Sequence, residues 1–379
     1  MAIRVLLVNR FGADLDRGGT ERYVADLGLG LRSRGHQVSV LSTFAVGDAA
    51  AASLDTVVVH REAPDAPLRR GRNHLDDWLA APRPRLGRVL SELSPDLVHT
   101  NNLPGLSTSI WEQARRLGVP VVHTLHDYHL LCPHTSLTRG DGSPCRPSPM
   151  VCGLRTRRLA RWAGAVSIVI GVSEHVLERH RHVFGERTVK RVIRAPLPRM
   201  PAAIRPPAER PRTLGYLGSL TAVKGVDTLL AAAEPLTALG ISTRIAGDGP
   251  LRASVSPHPF VEYVGRVPAD RIDDFLGSCD LGVVPSRWEE PGVTYVLMQW
   301  LAAGRPVLSS GRGGLAEAAG LGGVVSFGGS TSDLVESVRG LRDEGRWSEA
   351  VTGTAAADGV LDPDAWLEQH LAAYAEATT

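Results

Sequence analysis

Only two of the 42 basic residues in this 379-residue chain are lysines, and one of them, Lys224, sits in Leu217-Gly218-Ser219-Leu220-Thr221-Ala222-Val223-Lys224-Gly225. That run reads as a glycine-flanked turn between an apolar strand and an amphipathic helix. A compact ammonium kept at such a turn fits a phosphate better than the planar fork of arginine does. Backbone N–H groups at a helix N-terminus and a nearby cation together make an anion site. Taken alone, the same pattern also describes a solvated lysine on an ordinary strand–turn–helix.

Four other clusters carry candidate chemistry. Gly18-Gly19-Thr20-Glu21-Arg22-Tyr23 follows the first strand and opens a helix; glycines there let a ligand approach the backbone, but the run is not the GxGxxG of a dinucleotide site. Val122-His123-Thr124-Leu125-His126-Asp127 ends a buried strand. It offers a His-Asp pair able to bond a sugar hydroxyl or polarise a leaving group, with a charge tunable near neutrality. His99, ending another strand, is a weaker candidate. Pro285-Ser286-Arg287-Trp288-Glu289-Glu290-Pro291-Gly292 places two acids in a loop before a helix bearing Gln299. Such acids can accept hydrogen bonds from ring hydroxyls, or be a solvated charge pair. Cys132, Cys145 and Cys152 lie near His126, His129 and His134, but their spacings of 13 and 7 match no compact zinc knuckle. The expectation is an irregular loop with buried thiols and no metal.

The elements that must position these residues alternate short β-branched runs with helical patterns. Val5–Val8, Val38–Leu41, Leu97–Thr100, Val119–Thr124 and Ser167–Val172 read as strands; Val24, Leu27 and Leu31 form one apolar helix stripe. Proline-dense sequence at 195–212 reads as a hinge. The winding then restarts with strands at Leu214–Leu217, Thr243–Ala246, Val261–Val264, Leu281–Pro285 and Val307–Ser310, and helices from Val226 and over Tyr295–Ala303. The fold class is therefore α/β, two Rossmann-like doubly wound parallel-sheet domains facing across a cleft. The expected boundaries are 1–194 for the first domain, 195–212 for the linker, 213–360 for the second domain and 361–379 for a C-terminal helix able to pack back across the hinge.

Composition excludes several classes. A formal charge of +2 with arginines spread among acids gives no nucleic-acid groove. No run approaches the ~18 apolar residues of a membrane span. Ile3-Arg4-Val5-Leu6-Leu7-Val8 follows Met1 without the apolar core of a signal peptide, and four cysteines are no disulfide scaffold. Cytoplasmic is the resulting expectation.

Taken in order, Gly-Gly-Thr-Glu-Arg, Thr-Leu-His-Asp, Lys224-Gly225-Val226-Asp227, Ile-Ala-Gly-Asp-Gly-Pro, Tyr-Val-Gly-Arg-Val and Glu-Glu-Pro-Gly before Leu-Ala-Ala-Gly-Arg-Pro-Val resemble a retaining glycosyltransferase of family 4 with the GT-B architecture. The resemblance covers nearly the whole chain and is strongest from 214 to 317. It implies catalytic roles for His126, Lys224 and Glu290. It implies a nucleoside-diphosphate-sugar site built from Gly18, Gly19, Ser219, Lys224, Gly247, Gly265, Arg266, Val267, Glu289, Glu290, Pro291, Gly292, Val293 and Gln299. Thr20, Glu21, His99, Asp127 and Tyr128 fall on the acceptor side, where a small molecule or glycan would bind. No cofactor or metal is implied, because front-face attack lets the leaving phosphate take the acceptor's proton.

Three departures from the family pattern stand out. Ser219 replaces the usual arginine before the lysine; Gln299 replaces the second acid of a Glu-x7-Glu motif; and Glu290 to Gln299 is one residue longer than that motif, which leaves Glu289 as an alternative. A nucleotide-sugar epimerase of the same architecture, or a silent nucleotide-binding homologue, would share these features; acceptor-independent conversion of donor, or binding without cleavage, would mark them. The scarcity of lysine beside abundant Ala, Arg and Gly points to a bacterial genome rich in G and C, where secondary-metabolite or cell-envelope glycosylation is plausible.

Overall fold

The computed structural model describes residues 2–13, 18–43, 54–58, 84–139, 142–146, 148–196, 204–357 and 362–379. The chain divides into two compact units. The first holds Met1–Leu137, Arg146–Ile193 and Trp366–Thr379; the second holds Thr138–Cys145 and Arg194–Ala365.

In the first unit the order is β1 (Arg4–Val8), α1 (Gly19–Ser33), β2 (Gln37–Ser42), β3 (Asp55–Val58), α2 (Pro84–Leu93), β4 (Leu97–Thr100), α3 (Ser109–Arg116), β5 (Val121–Leu125), α4 (Pro149–Ala160), β6 (Ile168–Gly171), α5 (Glu174–Arg179) and β7 (Val189–Val192). The seven strands form one parallel sheet in the order β3-β2-β1-β4-β5-β6-β7. β1 thus lies between β2 and β4, and the strand order reverses there, the place where open α/β sheets leave a crevice beyond their carboxyl ends. The stripe Val24, Leu27 and Leu31 of α1 is fully buried, as its spacing predicts.

The second unit runs β8 (Thr213–Leu217), α6 (Val226–Ala238), β9 (Ser242–Ala246), α7 (Arg252–Val255), β10 (Val261–Gly265), α8 (Ile272–Gly277), β11 (Leu281–Val284), α9 (Tyr295–Ala302), β12 (Val307–Ser309), β13 (Val324–Ser326), α10 (Thr331–Gly340) and α11 (Glu344–Thr354). Its six parallel strands are ordered β10-β9-β8-β11-β12-β13, with the reversal between β8 and β11. Strand β13 and, in the first unit, β3 and β7 are absent from the sequence-based expectation.

Part of the expected hinge, residues 197–203, lies outside the described residues. Its remainder is bound to the second unit. Buried Asp280 accepts hydrogen bonds from the backbone N–H groups of Ala208, Arg212 and Thr213 at 3.0, 3.1 and 3.1 Å. The indole of Trp347 donates to the Ala208 carbonyl.

The final helix, α12 (Pro363–Thr378), contributes its residues from Trp366 onward to the first unit. His370 donates through Nδ1 to the Trp366 carbonyl, which leaves Nε2 to accept the Tyr23 hydroxyl at 2.5 Å. The Tyr374 hydroxyl bonds His99 Nδ1 at 2.6 Å.

Candidate active site

The switch point of the second sheet gathers the charged candidates. The Lys224 ammonium, on the loop after β8, donates to Glu290 Oε1, on the loop after β11, at 2.7 Å. Ser286 donates to the same oxygen at 2.5 Å. Glu290 is buried, whereas Lys224 keeps about a third of its side chain exposed (31% against 3%). The ammonium also stands 4.9 Å from the centre of the Trp288 ring, within cation–π range.

Backbone geometry brings the loops this close. Gly225 has φ of 75°, and a Cβ there would meet the Pro285 carbonyl oxygen at 1.9 Å; Gly247 has φ of 145° and would meet the Gly218 oxygen at 1.8 Å. Neither position accepts a side chain. Arg287 N–H donates to the Val223 carbonyl at 2.9 Å and its guanidinium pairs with Asp227, which ties the two loops again. Behind Glu290, the Gly314 N–H donates to its carbonyl at 2.6 Å, and the strand-like bridge to Gly313 fixes its backbone.

The rest of the expected donor set is distributed around this pair. Ser219 and Arg266 are exposed, Pro291 and Gly292 are buried, and Glu289 and Gln299 are partly buried. Val267 and Val293 are partly buried and pack against the core. Gly265 has φ of 86° and accepts the Gly247 N–H at 2.8 Å.

In the first unit the loops after β1, β4 and β5 converge. His126 Nε2 meets Asn101 Oδ1 at 2.8 Å, and the Asn101 amide donates to the Val8 carbonyl at 3.4 Å, so the ring nitrogen is the donor to Asn101. The imidazole packs edge-on against Tyr23, with centroids 4.6 Å apart. Burial, with His123 and His370 nearby, holds its pKa down at about 3. His126 is therefore neutral at neutral pH, and the expectation of a charge tunable near neutrality is corrected by desolvation.

Gly18 and Gly19 are exposed at the start of α1, whose N-cap Gly18 has no side chain to close the first turn. Thr20 is partly buried; Glu21 is buried and accepts from Asn9 Nδ2 at 3.4 Å. Asp127 accepts the His129 N–H at 2.8 Å.

Two acceptor-side expectations meet a different environment. His99 is fully buried with both ring nitrogens occupied, by Tyr374 and by Thr124 at 2.7 Å. It has no atom to present to an acceptor. Tyr128 is also fully buried, stacked on His180. Both are core residues because β4 and the turn after β5 are covered by neighbouring elements, which strand-end position alone does not reveal.

Sequence reasoning missed Asn101, Ser286 and Trp288. Each stands at the carboxyl end of a strand beside a residue that was recognised, and that position is the signal that could have found them. The four cysteines are free thiols, and among the described residues no three His, Cys, Asp or Glu side chains cluster as a metal site. Thr138–Cys145 belongs to the second unit, where Gly142 would bring a Cβ to 3.3 Å from the Ala222 oxygen beside Lys224. Among the described residues, no helix is long and apolar enough to cross a membrane.

Two parallel α/β units, each with polar residues at its switch point, make the architecture of the GT-B class. Residues 17–197 match Glycosyltransferase Family 4 and residues 211–344 match Glycosyl transferases group 1, and the chain belongs to this family. A protein of the cps region of Klebsiella pneumoniae is 28% identical over 236 residues, 60% of this chain and 61% of that protein's length. Glycogen synthase of Mycobacterium tuberculosis is 28% identical over 375 residues, 90% of this chain and 86% of that protein. In fold, the chain is similar to HepE of Anabaena in complex with UDP and glucose, with a TM-score of 0.71, 17% identity, and 98% and 99% of the two chains covered.

Proposed function

We propose that the protein transfers a sugar from a nucleoside-diphosphate sugar to an acceptor hydroxyl with retention of anomeric configuration. The observation that carries this reading is the Lys224–Glu290 pair at the β8/β11 switch point. Cleaving a glycosyl–diphosphate bond develops negative charge on the leaving phosphate, and a fixed ammonium stabilises it most where water is scarce. A diphosphate arriving at Lys224 competes for the ammonium with Glu290, whose carboxylate stays held by Ser286 and gains freedom to accept sugar hydroxyls. This favours Glu290 over Glu289 for the sugar.

His126 keeps the sugar-contacting role implied by the family pattern, as a neutral ring oriented by Asn101. In front-face attack the departing phosphate accepts the acceptor's proton, so no metal is required. The fold likeness to a protein crystallised with UDP and glucose supports the donor class.

The test is thermal unfolding against UDP, GDP, ADP and dTDP, with Lys224→Ala beside the natural chain. The expected result is one selective stabilisation, lost in the variant; ligand at ~100 times its Kd adds about 2.7 kcal/mol. No shift with any nucleotide overturns the donor assignment. Retention is read by NMR of the product formed with the identified donor, and an inverted anomer overturns it.

A further inference from the structure

We propose that α4 docks the protein on an anionic lipid surface. Six large hydrophobic residues are exposed among the described residues, and three of them, Met150, Val151 and Leu154, lie on this one helix at 80, 48 and 44% exposure. Arg157, Arg158 and Arg161, at and just past its end, are exposed too. At about 100° per residue, Met150, Leu154, Arg157 and Arg161 form one stripe, with Val151 and Arg158 beside it.

The helix cannot turn this face inward. Its opposite side is fixed by Leu159 and by buried Arg155, which donates through Nη1 to the His129 carbonyl at 2.6 Å. Ser148 caps the first turn by accepting the Val151 N–H.

Charge selects the occupant. The chain as a whole is nearly balanced, yet no Asp or Glu occurs between Asp141 and Glu174, a stretch that contains five arginines. Trp162 follows the helix with the Arg161 guanidinium 3.7 Å from its ring centre. Apolar side chains with adjoining arginines and a tryptophan match the boundary between acyl chains and anionic headgroups, where the apolar groups insert and the guanidinium groups meet phosphates. This surface is independent of the transferase reading, so the two stand or fall separately.

Flotation of the full chain with vesicles of phosphatidylcholine alone, and of phosphatidylcholine mixed with phosphatidylglycerol, tests it. The expected outcome is recovery with the mixed vesicles at low salt, little with phosphatidylcholine alone, and release as salt screens the charges. Arg157→Glu with Arg161→Glu weakens partition by roughly thirty-fold or more. Met150→Asp with Leu154→Asp abolishes it, and Leu117→Asp, an exposed leucine elsewhere, leaves it unchanged. Unaltered melting and nucleotide response establish that the variants are folded. Absence of binding at low salt, or binding retained in both double variants, overturns the proposal. Self-association abolished by Leu154→Asp without vesicle binding also overturns it and reassigns the face to a protein partner.

Discussion

Lys224 and Glu290 are unequal partners, because only the carboxylate is buried. Removing the ammonium leaves that charge with Ser286 alone, so Lys224→Met is expected to cost about 1–3 kcal/mol of stability, below the range for a fully buried pair because Lys224 is partly exposed. Lys224→Met with Glu290→Gln should cost less than the sum of the singles in urea unfolding; an additive cycle would argue that the pair is energetically idle. Asn101→Asp places a carboxylate beside His126 Nε2 and is expected to raise the histidine's pKa from about 3 toward its ordinary value. The His126 ring-proton shift followed by NMR against pH checks this, and an unmoved titration would refute it. Both charged site residues were visible by type in the sequence, one as a rare lysine and the other as one of two acids at a strand end. Their pairing was not, because 66 residues separate them and only the sheet order brings β8 beside β11.

At the scale of elements, the glycines carry the loop geometry. Gly225→Ala combines a positive φ with a Cβ on top of the Pro285 oxygen, so it is expected to cost more than about 2 kcal/mol and to lower nucleotide affinity by displacing Lys224. Gly35→Ala, also at positive φ but with open space around its Cβ, should cost less than Gly225→Ala; equal losses in chemical denaturation would contradict the steric account. The central strands were legible because both faces are buried and their runs are continuously apolar, as in Leu6-Leu7-Val8 and Leu281-Gly282-Val283. The strands that escaped notice are edge strands or their like. β7 reads Val-Lys-Arg-Val with two exposed centres, and β13 is only partly buried, so their strand character comes from a neighbour's hydrogen bonds and not from their own pattern.

At the scale of the whole molecule, the first unit carries several histidines held neutral by burial. His123 and His126 are pushed down to about 3, His370 to about 4, and His99 well below its usual value with His370, His126 and His123 adding to the effect. The unfolded chain takes up these protons as pH falls below ~6.5, while the folded chain keeps His123, His126 and His370 neutral down to about pH 3–4. Their contribution to stability is therefore complete above about pH 6.5 and declines on acidification from there toward the folded-state values. Calorimetry should show a lower melting temperature at about pH 5 than near neutrality; identical values would contradict it. The C-terminal helix has a consequence of another kind. Tyr23 and His99 find their hydrogen-bond partners in His370 and Tyr374, residues that leave the ribosome only after the entire second unit. The half of the protein that is made first therefore completes its core only with residues made last, and until synthesis reaches α12 the Tyr23 hydroxyl and His99 Nδ1 lack the partners that the finished fold gives them.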